Sequence, residues 1–134
     1  MVGVAIATHG RLAEELIRTA EGVVGPLERV RSVGVDASNP EVRGQIHAVI
    51  RELDDGPGVL LLTDLLGGSP TNLCLSFLAE HRVEVVTGVN LPMVLKLAQI
   101  RATGKPLAEM AAELAAAGQR SIGHASELLR EKMK

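Results

Sequence analysis

Apolar runs alternate along this chain with segments in which apolar residues recur every three or four positions. The first pattern is typical of buried strands and the second of amphipathic helices. The runs predict four strands, at residues 2–8, 30–35, 59–63 and 83–87. Because each strand is followed by a segment with helical spacing, the pattern favours an α/β fold whose sheet is mainly parallel.

Helix signals fill the intervals between the strands. Gly25 and Pro26 end the first helix, and Asn39 and Pro40 are placed to be the N-cap and the first residue of the second. The expected helical segments are residues 11–24, 40–53, 70–80, a stretch beginning near 91 and an alanine-rich stretch from 107. Helices on both faces of the sheet would make a three-layer sandwich with a flavodoxin-like strand order, 2-1-3-4.

The segment after Gly118 is the least regular part of the pattern. Gly118 and Gly123 interrupt any long helix, so residues 121–125 fit a short edge strand and residues 127–132 a helix. No repeat or linker divides the chain, and 134 residues are enough for one core. We therefore expect a single domain spanning residues 1–134.

Two of the predicted strands end in residues that carry chemistry. His9 follows the first strand, Asp64 follows the third, and a glycine-rich turn, Gly67-Gly68-Ser69-Pro70, comes just behind Asp64. In the expected strand order both strands end side by side, at the sheet edge where open α/β folds place their sites. A histidine oriented by an acid and facing a turn rich in N–H groups indicates phosphoryl transfer through the imidazole.

Each of these residues has a role in that chemistry and a structural alternative. Asp64 would hold the proton on one imidazole nitrogen and leave the other as the phosphoryl acceptor. Gly10 would let a phosphoryl group approach the backbone, and the turn at residues 67–69 would direct N–H and hydroxyl groups at it. Taken singly, His9 is also compatible with a structural histidine, Asp64 with a turn cap and Ser69 with a helix N-cap. Their joint occurrence at strand ends favours function.

The composition of the chain disfavours several kinds of ligand and partner. Phe77 is the only aromatic residue, which disfavours flavin binding and removes the stacking platforms that single-stranded nucleic acids use. A net charge of −2 disfavours a polyanionic partner. No phosphate loop ending in Gly-Lys-Ser/Thr and no spaced acidic set is present, so no nucleotide, cofactor or metal is expected. Cys74 lies in an apolar stripe and is expected to be a buried thiol.

The other three histidines lack an acid at a neighbouring strand end. His47 lies inside a helix, His81 in the last turn of the next one and His124 in the tail, so each is expected to be structural or solvated. The sequence contains no apolar stretch long enough to span a membrane and no recognisable signal peptide. A cytoplasmic location is therefore expected.

Three segments form a family pattern: residues 7–10 (Ala-Thr-His-Gly), 63–72 (Thr-Asp-Leu-Leu-Gly-Gly-Ser-Pro-Thr-Asn) and 88–93 (Gly-Val-Asn-Leu-Pro-Met). Together they resemble the mannose-family IIA domain (EIIA type-4) of the bacterial sugar phosphotransferase system. The resemblance covers essentially the whole chain, and the second and third segments make it specific. Leu66 stands where many relatives carry Trp, a difference that concerns the partner surface rather than the reaction.

The resemblance implies a role for each site residue. His9 would accept a phosphoryl group from the histidine carrier protein HPr and pass it to a IIB component, and Asp64 would orient its ring. Ser69 and the turn amides would contact the phosphoryl group, and Asn90 and Pro92 would lie on a neighbouring loop. The resemblance also implies a homodimer, in a family where the last strand can be exchanged between subunits, and membrane association only through IIC and IID subunits.

Three alternatives stay open. No IIB domain is seen in the sequence, so transport would need a separate IIB partner. Without that partner the domain would be a regulatory sensor of phosphorylation state. The related phosphotransfer subunit of dihydroxyacetone kinases is a second alternative, which the Gly-Gly-Ser-Pro turn disfavours. The third, a ligand-binding flavodoxin-like module without enzymatic activity, would leave His9 unexplained.

Overall fold

Strands and helices alternate in the computed structural model, which describes residues 1–134. The strands are β1 (Gly3–His9), β2 (Val30–Val35), β3 (Val59–Thr63) and β4 (Val83–Val86). The helices are α1 (Leu12–Val24), α2 (Val42–Leu53), α3 (Ser69–Leu75), α4 (Leu91–Arg101), α5 (Leu107–Arg120) and α6 (Ala125–Lys132). None of these helices is both long enough and apolar enough to cross a membrane.

The four strands form one parallel sheet in the order β2-β1-β3-β4, as the sequence predicts. β1 lies between β2 and β3, in a register that pairs His9 with Val35 and Ala7 with Thr63. Because parallel neighbours end at the same edge of a sheet, Asp64, the residue after β3, lies beside the end of β1. The strand order therefore brings His9 and Asp64 together.

Helices cover both faces of the sheet and give the three layers that were expected. Successive residues of a strand point to opposite faces. Val4 and Ile6 of β1 therefore join the core under α1, α4 and α5, whereas Ala5 and Ala7 join the core under α2 and α3. Phe77 is fully buried in the second core. The first core is entirely aliphatic.

Two helix ends differ from the prediction by two residues or more. α2 begins at Val42 rather than Pro40, and its N-cap position is Glu41. The Asn39 side chain instead accepts a hydrogen bond from the Glu41 N–H (2.9 Å) within the turn before the helix. α3 ends at Leu75 rather than residue 80, because the chain continues in turns closed by short-range bonds such as the one from Glu80 N–H to the Phe77 carbonyl.

The predicted edge strand at residues 121–125 is wrong. No strand forms there, and α6 begins at Ala125. Its sequence is rich in helix formers, and Glu127 pairs with Arg130 one turn later, a local contact that supports a helix.

Gly118 does not interrupt a helix but lies inside α5. A Cβ at Gly118 would stand 2.6 Å from the Met93 sulfur, so the glycine lets α5 pack closely on α4 without displacing the Met93 side chain. A close approach of this kind cannot be seen in the sequence, where Gly118 looks like a helix breaker.

Candidate active site

The Asp64 carboxylate accepts three hydrogen bonds that fix it against His9. Its Oδ2 accepts from the His9 backbone N–H (3.0 Å) and lies 2.8 Å from His9 Nδ1. Its Oδ1 accepts from the Leu65 backbone N–H (3.0 Å). One carboxylate oxygen thus binds both the backbone and the ring of the histidine, so Asp64 does more than cap its own turn.

Burial and hydrogen bonding act in opposite directions on this carboxylate. Burial by itself raises the pKa of Asp64, whose side chain is only 10 % exposed. Hydrogen bonds from the ring and backbone of His9, together with the charge of its protonated ring, lower that pKa below its ordinary value, and the lowering prevails. Asp64 is therefore ionised at neutral pH.

The ionised carboxylate determines which nitrogen of His9 is free. A carboxylate can only accept hydrogen bonds, so Nδ1 of the neutral ring carries the proton. Nε2 then keeps its lone pair, and it makes no hydrogen bond within the protein. The His9 side chain is 51 % exposed, so this nitrogen is available to an electrophile from outside.

Gly10 turns the chain away from the sheet directly after His9. Its φ of +56° lies in the left-handed region, and a Cβ there would meet no atom within 4 Å. The turn brings the Gly10 carbonyl against β2, where a Cβ at Gly34 would lie only 2.7 Å from that oxygen. Gly34 is therefore part of the site's framework, although nothing in the sequence marks it.

The glycine turn packs directly against the His9 ring. Gly67 has a φ of +84°, and a Cβ at Gly68 would stand 3.1 Å from His9 Cε1. Gly68 is the N-cap residue of α3 and Ser69 is the first helical residue, so Ser69 is not the N-cap that one interpretation of the sequence suggested. The Ser69 hydroxyl makes no hydrogen bond within the protein. It remains free to donate, as do backbone N–H groups of the first helical turn.

Buried threonines hold the turn in place, and sequence reasoning missed them. The Thr71 hydroxyl donates to the Leu65 carbonyl (2.6 Å) and lies 2.6 Å from the Thr63 hydroxyl at the end of β3. Near the other strand end, the buried Thr8 hydroxyl accepts from the Ala13 N–H (2.8 Å) in the first turn of α1. These bonds tie both strand ends to the helices that follow them.

Asn90 and Pro92 lie on the neighbouring loop, as expected from the family pattern. The Val89 N–H donates to the Thr63 carbonyl (2.8 Å), which joins this loop to the end of β3. The Asn90 side chain accepts from the Met93 N–H (3.1 Å) as the N-cap of α4, and its amide donates to the Gly118 carbonyl (3.4 Å). Asn90 is thus used for structure here, and Pro92 is exposed in the first turn of α4.

Three large apolar side chains are exposed on the elements that flank His9. Leu12 begins α1, and Leu65 and Leu66 belong to the turn after Asp64. Leu66 is 76 % exposed, whereas the leucines of β3 are fully buried. Exposed apolar groups around a polar site are typical of a surface that meets another protein.

The fold and this site define an α/β domain with a carboxylate-oriented histidine at the edge of a parallel sheet. The EIIA-man family model, described as the PTS system fructose IIA component, matches residues 3–119. The chain therefore belongs to this phosphotransferase family, the IIA components of the sugar phosphotransferase system. The predicted family and fold are confirmed.

Individual relatives agree with that assignment. The chain is 32 % identical over 124 residues to the PTS system mannose-specific EIIAB component of Escherichia coli K12, covering 90 % of this chain and 38 % of that relative. It is 30 % identical to the PTS system fructose-specific EIIA component of Bacillus subtilis 168, covering 100 % and 92 %. The mannose/sorbose specific IIA subunit from Enterococcus faecalis superposes with a TM-score of 0.81 at 28 % identity, covering 91 % and 92 %.

Proposed function

We propose that His9 accepts a phosphoryl group from the histidine carrier protein HPr and passes it to a IIB component. The observation that carries this proposal is the Asp64–His9 pair, which keeps the proton on Nδ1 and leaves Nε2 as a nucleophile. Membership of the IIA family supports a donor and an acceptor from the sugar phosphotransferase system.

The transfer exchanges one phosphorus–nitrogen bond for another. The lone pair of His9 Nε2 attacks the phosphorus of the donor's phosphohistidine, and the donor nitrogen leaves with the electron pair of the bond that breaks. The His9 ring keeps its proton on Nδ1, so it becomes positively charged as the new bond forms. The ionised Asp64, 2.8 Å from Nδ1, stabilises that charge.

The phosphoryl oxygens need hydrogen-bond donors near Nε2, on the side of the ring away from Asp64. Gly68 lies against His9 Cε1, the carbon next to Nε2, so the turn stands beside the position of the transferred group. The Ser69 hydroxyl and the free N–H groups of the turn would donate to these oxygens. Gly10 leaves open space where a side chain would otherwise stand.

The exposed Leu12, Leu65 and Leu66 would form the apolar part of the surface that receives both partners. Both must approach the same nitrogen, so they would bind in turn and not together. Contact with a membrane would then be indirect, through the IIC and IID subunits of a transporter.

The decisive experiment incubates the protein with phosphoenolpyruvate, enzyme I and HPr and records its intact mass. We expect one added phosphoryl group, labile in acid and stable in base, which disappears from the protein when an unphosphorylated mannose-family IIB domain is added. His9→Ala should abolish the addition, whereas His47→Ala, His81→Ala and His124→Ala should keep it. A label retained by His9→Ala, or a label that ATP alone supplies, would contradict the proposal.

We also propose that two copies associate through the segment after α5. No residue of α6 is buried, and Ile122, Leu128, Leu129 and Met133 are all exposed. β4 pairs only with β3, so its other edge is open. A second copy would cover these apolar side chains.

Light scattering of the full chain and of a truncation after Gly118 tests the dimer. We expect a dimer for the full chain, and a monomer or aggregate for the truncated one. A full-length monomer of 14.1 kDa at micromolar concentration would rule the association out.

A further inference from the structure

A second cluster of chemistry-bearing side chains lies away from His9. His47 belongs to α2, and Glu80 and His81 follow the turns after α3. Each offers a ligand atom within 4.8 Å of the other two, and the two imidazole centroids are 4.9 Å apart. Two imidazoles and a carboxylate form a donor set that binds zinc in proteins. The sequence did not predict this cluster, because His47 and His81 are far apart along the chain.

The two rings are held in place by the protein, so they are not free surface histidines. His47 stacks on the buried Phe77, with ring centroids 5.5 Å apart and an interplanar angle of 23°. The His81 ring packs on the same phenyl group at 6.0 Å, and its backbone N–H donates to the Phe77 carbonyl (3.0 Å). No nitrogen of either ring makes a hydrogen bond within the protein, so both have lone pairs to offer a metal.

Arg43 positions the third ligand. Its guanidinium lies 4.3 Å from the Phe77 centroid, donates to the Ser76 hydroxyl (3.2 Å) and reaches one oxygen of Glu80 at 3.6 Å. The other Glu80 oxygen is left for a metal, in the way that an outer partner orients a ligating carboxylate. The positive charge of Arg43 opposes a cation, but it is paired with Glu80, and its side chain is 45 % exposed to water, whose high dielectric constant weakens the repulsion.

We propose that His47, Glu80 and His81 bind a divalent first-row transition metal of the zinc class, with water as the fourth ligand. Ligands of a tetrahedral zinc ion lie about 3.3 Å apart, so the three side chains must close slightly around the ion. Glu80 is exposed and the histidines are half-buried, which leaves room for that closure. The ion would tie α2 to the connection between α3 and β4.

This site is separate from the phosphoryl site. His9 lies at the carboxyl edge of the sheet, whereas His81 lies just before β4 begins, towards the opposite edge. Metal bound there would stabilise the folded chain without occupying Nε2 of His9. Since a ligand that binds only the folded state raises its stability, the melting temperature reports occupancy.

The test uses the untagged full-length protein with zinc chloride, and magnesium chloride as the control ion. We expect calorimetry to give one zinc per chain, zinc to raise the melting temperature, and cobalt to give the visible absorption of a tetrahedral site. His47→Gln and His81→Gln should each weaken zinc binding by about tenfold or more and abolish the thermal shift. His124→Gln, at an exposed histidine outside the cluster, should bind as the wild type does.

Two results would overturn the proposal. One is zinc affinity unchanged in the His47→Gln, His81→Gln double variant. The other is binding that survives in that variant and is lost in His9→Gln, which would place the ion at the phosphoryl site. If circular dichroism shows that a histidine variant does not fold, the zinc affinity of Glu80→Gln is compared with that of the wild type instead, because Glu80 is exposed.

Discussion

Asp64→Asn isolates the charge of the carboxylate that orients His9. All three hydrogen bonds at Asp64 are accepted by its oxygens, whereas an asparagine offers one oxygen and one NH2 group. If the NH2 group takes the Oδ2 position, it faces the His9 backbone N–H and forces the ring proton onto Nε2. If it takes the Oδ1 position, the Leu65 N–H loses its acceptor and the ring loses its counter-charge.

Either arrangement raises the barrier to transfer. The first blocks the nucleophilic nitrogen, and the second removes the stabilisation of the cationic ring. An orienting or acid–base residue typically contributes ~10²–10⁴-fold to rate. At about 1.4 kcal/mol for each factor of ten, the loss corresponds to roughly 3–5 kcal/mol in activation free energy.

Rapid-quench measurement with phosphorylated HPr as donor gives this rate directly. Asp54→Asn is the matched control, because Asp54 is also a turn carboxylate, accepting from the Gly56 N–H at 3.0 Å, but lies after α2 and away from His9. We expect the control to transfer at the wild-type rate. A folded Asp64→Asn protein that also transfers at that rate would refute the orienting role and leave Asp64 as a turn cap.

Three further predictions concern the framework of the site. Gly68→Ala places a Cβ 3.1 Å from His9 Cε1, so the ring must shift, and rapid quench should show transfer slowed by roughly tenfold, whereas Gly44→Ala, in open space, should not change it. Thr71→Val removes a buried hydroxyl that bonds the Leu65 carbonyl and the hydroxyls of Thr63 and Thr87, and denaturant titration should show the free energy of unfolding lowered by about 1–3 kcal/mol. Because the folded-state pKa of Asp64 lies below its ordinary value of 3.8, its ionised form stabilises the fold fully above that pH. Acid titration should therefore show the stability difference between wild type and Asp64→Asn shrinking as the pH falls below 3.8 and vanishing below the folded-state pKa.

The sheet and the pairing of His9 with Asp64 could be predicted because both depend on local patterns. Four apolar runs bounded by turns determine four buried strands, and one strand order puts two of their ends side by side. The tautomer of His9 could not be predicted from these patterns, because it depends on which ring nitrogen lies 2.8 Å from the carboxylate. That distance is set by the side-chain torsions in the folded chain.

Features that depend on contacts between distant segments could not be predicted. Gly34 carries no signal in the sequence and Gly118 looks like a helix breaker, yet the Gly10 carbonyl and the Met93 sulfur respectively lie within 3 Å of where their Cβ atoms would stand. Asn39 stands one residue before a proline and Asn90 two residues before one, but only Asn90 caps its helix, because the Met93 N–H is within reach. In the tail, Gly118 and Gly123 suggest breaks in the helical pattern, but α5 continues through Gly118 and the helix-forming residues after Gly123 form α6.

Cys74 is an internal probe of local unfolding in this protein. The chain has no Trp or Tyr, so intrinsic fluorescence offers little with which to follow unfolding. Its single thiol is fully buried on α3, as predicted, and burial raises the pKa of Cys74 to about 12. Thiol reagents require the thiolate, so the folded form is inert and labelling reports the moments when α3 comes away from the sheet. Because α3 begins at the turn beside His9, the rate of thiol labelling measures how firmly that turn is held, with and without a phosphoryl group.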